Sequence, residues 1–225
     1  MEELKRSVSW HLRNATLAMA IFVIITFDVL HSGPLTNLDA SIARWRRPNL
    51  PSWGDWLIYN LDHLGLRGLT ALCLLLLACY LGQKFRTWRP FNLSLLSLLA
   101  LNLVVGLAKL EFGRTKPKLQ MDLLDAGGMS YPSGHASNAI LTWGLFAYLA
   151  VKYSAPSRFR TLLAMWSVAG ITLLVVAVSL FRNTHWLSDL IGGVSIGAAL
   201  LILIVAIDRI ISSNRPERIA QVPKE

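Results

Sequence analysis

Cysteine is nearly absent: the 225 residues hold two, Cys73 and Cys79, both inside one apolar run. Without histidine or carboxylate company they read as small hydrophobes, supplying neither a metal site nor a guide to redox compartment. A carboxylate cluster suited to Mg²⁺ is also missing. Internal repeats and low-complexity tracts are lacking too. Basic residues are plentiful, with a formal net charge of +9, yet they sit in short loops between apolar runs rather than on an aromatic-laced face. That distribution argues against a nucleic-acid surface and fits anionic lipid headgroups.

What fills the chain is hydrophobic sequence. Apolar residues make up 54% and the mean hydropathy is +0.48, above the roughly 45–50% apolar share of soluble domains. The apolar runs approach the roughly 20 residues needed to cross a hydrocarbon core about 30 Å thick. Six spans are expected, over about 15–30, 66–81, 92–108, 136–151, 161–181 and 190–211. Helices are favoured because a spanning segment must satisfy its backbone internally, and these runs are too long for barrel strands. The expectation is an all-α polytopic membrane protein, six helices in one bundle forming a single domain over 1–225, with a polar cytoplasmic tail at 212–225. The first run follows Lys5, Arg6 and Arg13, but Asp28 and the lack of a small-x-small site favour an uncleaved span over a secretory signal.

Residues 32–65 form a separate external segment mixing Arg44, Arg46 and Arg47 with Trp45, Trp53 and Trp56. An interfacial amphipathic helix and an irregular loop pinned by its aromatics fit it equally. The larger share of cations falls in the amino-terminal tail, the loops holding Lys84 and Lys152, and the carboxyl tail. By the positive-inside rule both termini are then cytoplasmic. Gly193 and Gly197 form a small-xxx-small pair suited to close helix packing within one chain.

That topology carries the ends of the third and fifth spans and the starts of the fourth and sixth to one face, exterior or periplasmic. Every chemically suggestive cluster falls there: Lys109, Arg114 and Lys116; Ser133, Gly134 and His135; Arg182, His185 and Asp189. Cations with two histidines and one carboxylate suit a phosphate ester. If the sixth helix begins before Arg182, the spacing i, i+3, i+7 puts Arg182, His185 and Asp189 on one helix face. Asp189 would then orient His185 as base or nucleophile, and Arg182 would bind phosphate oxygens in pairs. His135 follows Ser133 and Gly134 at a helix start, where free amides favour an anion, and is placed to protonate a leaving alkoxide. Each feature alone has a bland meaning as an interfacial, capping or snorkelling residue; their coincidence on one face gives them weight. His11, His31 and His63 lack such company and read as structural, while Asp28 and Asp62 are candidates to pair with loop cations.

These residues resemble the type 2 phosphatidic acid phosphatase family, integral-membrane lipid phosphatases that share a site with bacterial acid phosphatases and vanadium haloperoxidases. Its pattern is Lys, six residues, Arg-Pro; then Pro-Ser-Gly-His; then Ser-Arg, five residues, His, three residues, Asp. Pro132 to His135 match the second part, and His185 with Asp189 match the end of the third. Lys116 stands where the first part has Arg, and Ser179 stands six before His185 where the third has Arg. Arg182 and Arg114 are expected to compensate. The resemblance implies a lipid phosphatase needing no metal and no cofactor, in which His185 becomes phosphorylated, Asp189 orients it and His135 acts as acid. Lys109, Lys116, Ser133, Gly134 and Arg182 would hold the phosphate of undecaprenyl diphosphate, phosphatidylglycerol phosphate or phosphatidic acid. A lipid phosphotransferase, or a non-catalytic lipid-phosphate binder or transporter, would use the same parts.

Overall fold

The computed structural model describes residues 2–119, 121–154 and 157–214, with side chains described from residue 8 to 212. The expected tail at 212–225 lies outside them beyond Asn214. Among the described residues eight α-helices follow in order: α1 (Glu2–Leu30), α2 (Pro34–Ala43), α3 (Ser52–Asp62), α4 (Arg67–Lys84), α5 (Arg89–Phe112), α6 (Gly134–Lys152), α7 (Arg158–Phe181) and α8 (Leu187–Asn214). Five of the expected spans fall within a longer helix, and the span expected at 66–81 begins one residue ahead of α4, at Leu66. By length and composition four can cross a membrane, within Val8–Leu30, Arg89–Leu119, Arg158–Phe181 and Leu187–Ser212. Counting α3 and α4 as one span, bent by 55° at Leu66, makes five. The chain is thus an all-α polytopic membrane protein with four to five candidate spans.

The central helix is α6, packed against α4, α5, α7 and α8, while α1 lies along α8 and α2. Its central position accounts for a row of polar side chains held inside the bundle. The side chains of Ser137, Asn138 and Thr142 are buried; Thr142 donates to Asn138 at 2.9 Å, and Asn138 donates to the Gly65 carbonyl at 3.2 Å and to Thr70. Leu145 and Leu149 pack with Leu74, Leu81 and Leu98, and Leu141 packs with Leu101, Val105 and Ile196. The outer helices instead expose leucines and aromatics such as Phe27, Leu103 and Leu173. A continuous apolar exterior of this extent is the surface a bilayer covers.

Gly193 and Gly197 seat α8 on α6 as expected. A methyl at Gly193 would lie 2.4 Å from the Ser133 carbonyl oxygen, and one at Gly197 would lie 2.6 Å from that of Ser137. At the end of the bundle away from Ser133, Asp208 accepts from Arg89 Nε at 2.9 Å, Lys152 at 2.7 Å and Tyr148 at 2.6 Å, joining α5, α6 and α8.

The 32–65 segment resolves into two helices rather than one helix or a loop. Asp28 caps α2 by accepting from the amides of Leu35 at 3.3 Å and Thr36 at 3.1 Å, and it pairs with no cation among the described residues. Arg47 donates to the Leu180 and Phe181 carbonyls, satisfying the open end of α7, and to Ile42 and Ala43 of α2. Trp45, Trp53 and Trp56 remain exposed, as interfacial anchors do.

Candidate active site

Ser133 is the N-cap of α6, with extended backbone and its hydroxyl accepting from the Ala136 amide at 3.4 Å. The cap aims the first amides of the central helix out of the bundle end. The Ser133 amide donates to the Asp189 carbonyl at 2.9 Å, fixing the start of α6 against the first turn of α8. Tyr131, just before the cap, is fully buried: Phe22 stacks on it, Gly192 abuts its ring, and its hydroxyl meets Thr26 at 2.7 Å. Burial pushes its phenol up to about 12, so it stays neutral beside this contact.

The two histidines meet here, ring centroids 6.4 Å apart. His185 Nδ1 lies 3.3 Å from Asp189 Oδ2, while Nε2 has no hydrogen-bond partner among the described residues. Asp189 is fully buried and also accepts from the Trp186 amide at 3.1 Å and from the Ser130 hydroxyl. A third group holding a histidine by one nitrogen while the other stays open is the arrangement that activates a base or nucleophile.

Behind Asp189 the structure departs from expectation. Arg114 was expected on the phosphate, but it is fully buried and turned toward carboxylates. It donates to Asp189 at 2.8 Å, Ser188 at 2.6 Å, Asp39 at 2.9 Å, and Asp122 at 2.7 and 2.6 Å. These five bonds use all five guanidinium donors, so none is left for a phosphate. Asp39, from α2, also accepts from the Ser188 amide at 2.9 Å and thereby caps α8. Burial pushes the Asp39 carboxyl up, opposed by Ser188 and by the charge of Arg114. Asp39 and Asp122 were missed; no local spacing links either to His185, because the chain meets only through the fold.

Arg182 also departs from expectation. Helix α8 starts at Leu187, after His185, so the expected helix face does not form. The chain turns at Asn183, with φ of 54°, and Arg182 ends α7. Its guanidinium pairs with Asp62 and lies 5.4 Å from the centre of the Tyr59 ring, both from α3. Asp62 thus takes the loop cation anticipated for it.

Lys109, in the last turn of α5, donates to the carbonyls of Met129 and Ser130, the latter at 3.3 Å, leaving one of its three donors. Lys116 is exposed, and its charge acts on both Lys109 and His135. The connection after α5 folds back on itself: Gly113 has φ of 51°, and the amides of Gly128 and Ser130 return to the carbonyls of Gly113 and Arg114. A methyl at Gly113 would also crowd the Asp125 backbone at 3.1 Å. His31 bonds the Phe27 carbonyl and His63 that of Tyr59, each at 2.9 Å within its own helical turn.

A bundle of apolar helices with a capped anion-ready helix start, paired histidines and lysines at one end defines a membrane protein built to handle a phosphate. Comparison with known proteins specifies the class. Residues 90–211 match the family described as the PAP2 superfamily. The chain is 23% identical over 200 residues to phosphatidylglycerophosphatase B of Bacillus subtilis (strain 168), covering 88% of this chain and 97% of that one. It also superposes with a TM-score of 0.77 and 20% identity on a Bacillus subtilis structure described as the first transmembrane PAP2 type phosphatidylglycerolphosphate phosphatase, with the same coverage. The chain belongs to the PAP2 superfamily and is a membrane lipid phosphatase, a hydrolase.

Proposed function

We propose that this enzyme removes the terminal phosphate from a lipid phosphate through a phosphohistidine on His185. The observation that carries the reading is the buried line from His185 through Asp189 to Arg114, facing His135 across the width of one ring contact. With Nδ1–H held by Asp189, Nε2 attacks phosphorus and the P–O bond to the lipid breaks. His135 protonates the departing alkoxide, then draws a proton from the water that releases the phosphate. Lys109, Lys116, the Ser133 hydroxyl and the Gly134 amide balance charge on the phosphoryl oxygens. This division of labour asks nothing of a metal.

Phosphatidylglycerol phosphate leads the substrate reading because both relatives are named for it, ahead of undecaprenyl diphosphate and phosphatidic acid. The six longer helices read as six crossings in a single domain over 1–225, with α6 shielded at the centre, both termini cytoplasmic and the site facing the exterior or periplasm. Purified protein assayed with these three lipids in excess EDTA is expected to release phosphate, and His185→Ala to release none. Undiminished release by His185→Ala, or loss of activity in EDTA restored by added metal, sinks the proposed chemistry.

A further inference from the structure

The phosphate site as described lacks a guanidinium. Arg114 spends its five donors on Asp39, Asp122, Asp189 and Ser188, and Arg182 is drawn to Asp62. Lys116 is a point charge, and Ser179 occupies the position six before His185 as a buried hydroxyl without a partner among the described residues. Yet a phosphoryl group gathering charge in three directions is best met by planar, paired donors.

One guanidinium does reach the start of α6. Arg67, the first residue of α4, approaches Gly134: a methyl built there would lie 3.7 Å from Arg67 Nη2 and 3.8 Å from Lys109 Cε. Its side chain is exposed and makes no hydrogen bond or ion pair among the described residues. It stands close enough to Lys109 for the two like charges to repel, and Lys116 adds a third. Three cations gathered on one helix start raise the energy of the empty site, and a bound dianion relieves it. The turn that places Arg67 is itself fastened to α6, through Asn138 to the Gly65 carbonyl at 3.2 Å and Trp143 to the Leu64 carbonyl at 2.8 Å.

We propose that Arg67 donates to the substrate phosphate beside the Gly134 amide, supplying from the fourth helix the guanidinium absent from the last two. The proposal rests on the reading of this end as the phosphate site. It also accounts for the bare Cα of Gly134, since a side chain there would fill the gap between Arg67 and Lys109.

The test measures binding of inorganic phosphate to the full-length protein in detergent micelles, with turnover of phosphatidylglycerol phosphate alongside. Arg67→Ala is expected to weaken phosphate binding and to lower kcat/KM by about 10- to 100-fold, the range for losing a charged hydrogen bond. Arg67→Lys should recover only part of each, while Arg158→Ala, at the start of α7, changes neither. His185→Ala should still bind phosphate while losing turnover, which separates the two ideas. Phosphate affinity and kcat/KM within twofold of wild type in Arg67→Ala overturn the role of Arg67, whereas turnover surviving in His185→Ala overturns the parent mechanism. Equal losses in Arg67→Ala and Arg158→Ala also overturn it, because they mark a general effect of surface charge.

Discussion

Replacing Arg114 with methionine removes a buried cation from among three carboxylates while keeping much of its volume. Asp39 and Asp189 are as fully enclosed as Arg114 itself, whereas Asp122 is 30% exposed at its side chain and can turn to solvent. The variant therefore leaves two carboxylates buried without their cation. Removing one partner of a buried pair costs about 3–5 kcal/mol. At about 2–4 °C per kcal/mol for a chain of this size, the unfolding midpoint should fall by roughly 6–20 °C. Thermal unfolding in detergent, followed by circular dichroism, reads this directly. Adding Asp39→Asn removes one stranded charge and should restore part of the loss, whereas for independent sites the two losses would add. A midpoint unchanged in Arg114→Met, or a purely additive double variant, would refute the clamp. In the same variant kcat should fall more than KM rises, because Asp189 loses its anchor while the phosphate keeps its own donors.

Two further outcomes follow from the packing. Gly193→Ala, with its methyl 2.4 Å from the Ser133 carbonyl oxygen, should cost about 1–3 kcal/mol and depress activity, while Gly106→Ala, with open space around it, should leave both unharmed; thermal unfolding and phosphate release check the pair. Asp208→Asn loosens Arg89, Lys152 and Tyr148 at the far end of the bundle, so it should lower the unfolding midpoint without altering kcat/KM of the folded enzyme.

The parts of the site that lie within one turn of chain were legible in the sequence. Pro132 to His135 read as a capped helix start, His185 and Asp189 read as a pair, and Gly193 with Gly197 read as a close contact. Hydrophobic runs located the long helices because burial and lipid both demand continuous apolar stretches. The cations were misread for a physical reason: a guanidinium goes to whichever carboxylate the fold brings near. Asp39 reaches Arg114 across 75 positions and Asp62 reaches Arg182 across 120. Arg67, which no sequence motif singles out, stands beside Gly134 because the fold packs α4 against α6 and not because a carboxylate draws it. The central helix α6 shows the converse case, since its polar residues reflect neighbours on every side and lower its apparent fitness to span.

The central claim is a covalent phosphohistidine at His185, and trapping it is the most direct measurement. Enzyme mixed with phosphatidylglycerol phosphate carrying a ³²P label in the terminal phosphate, quenched within one turnover and digested at alkaline pH, should yield an acid-labile label on the peptide containing His185. The label should build up in His135→Ala, whose release step is impaired, and be missing from His185→Ala. Turnover that leaves no labelled protein at any quench time, or a label carried by another residue, would contradict the account.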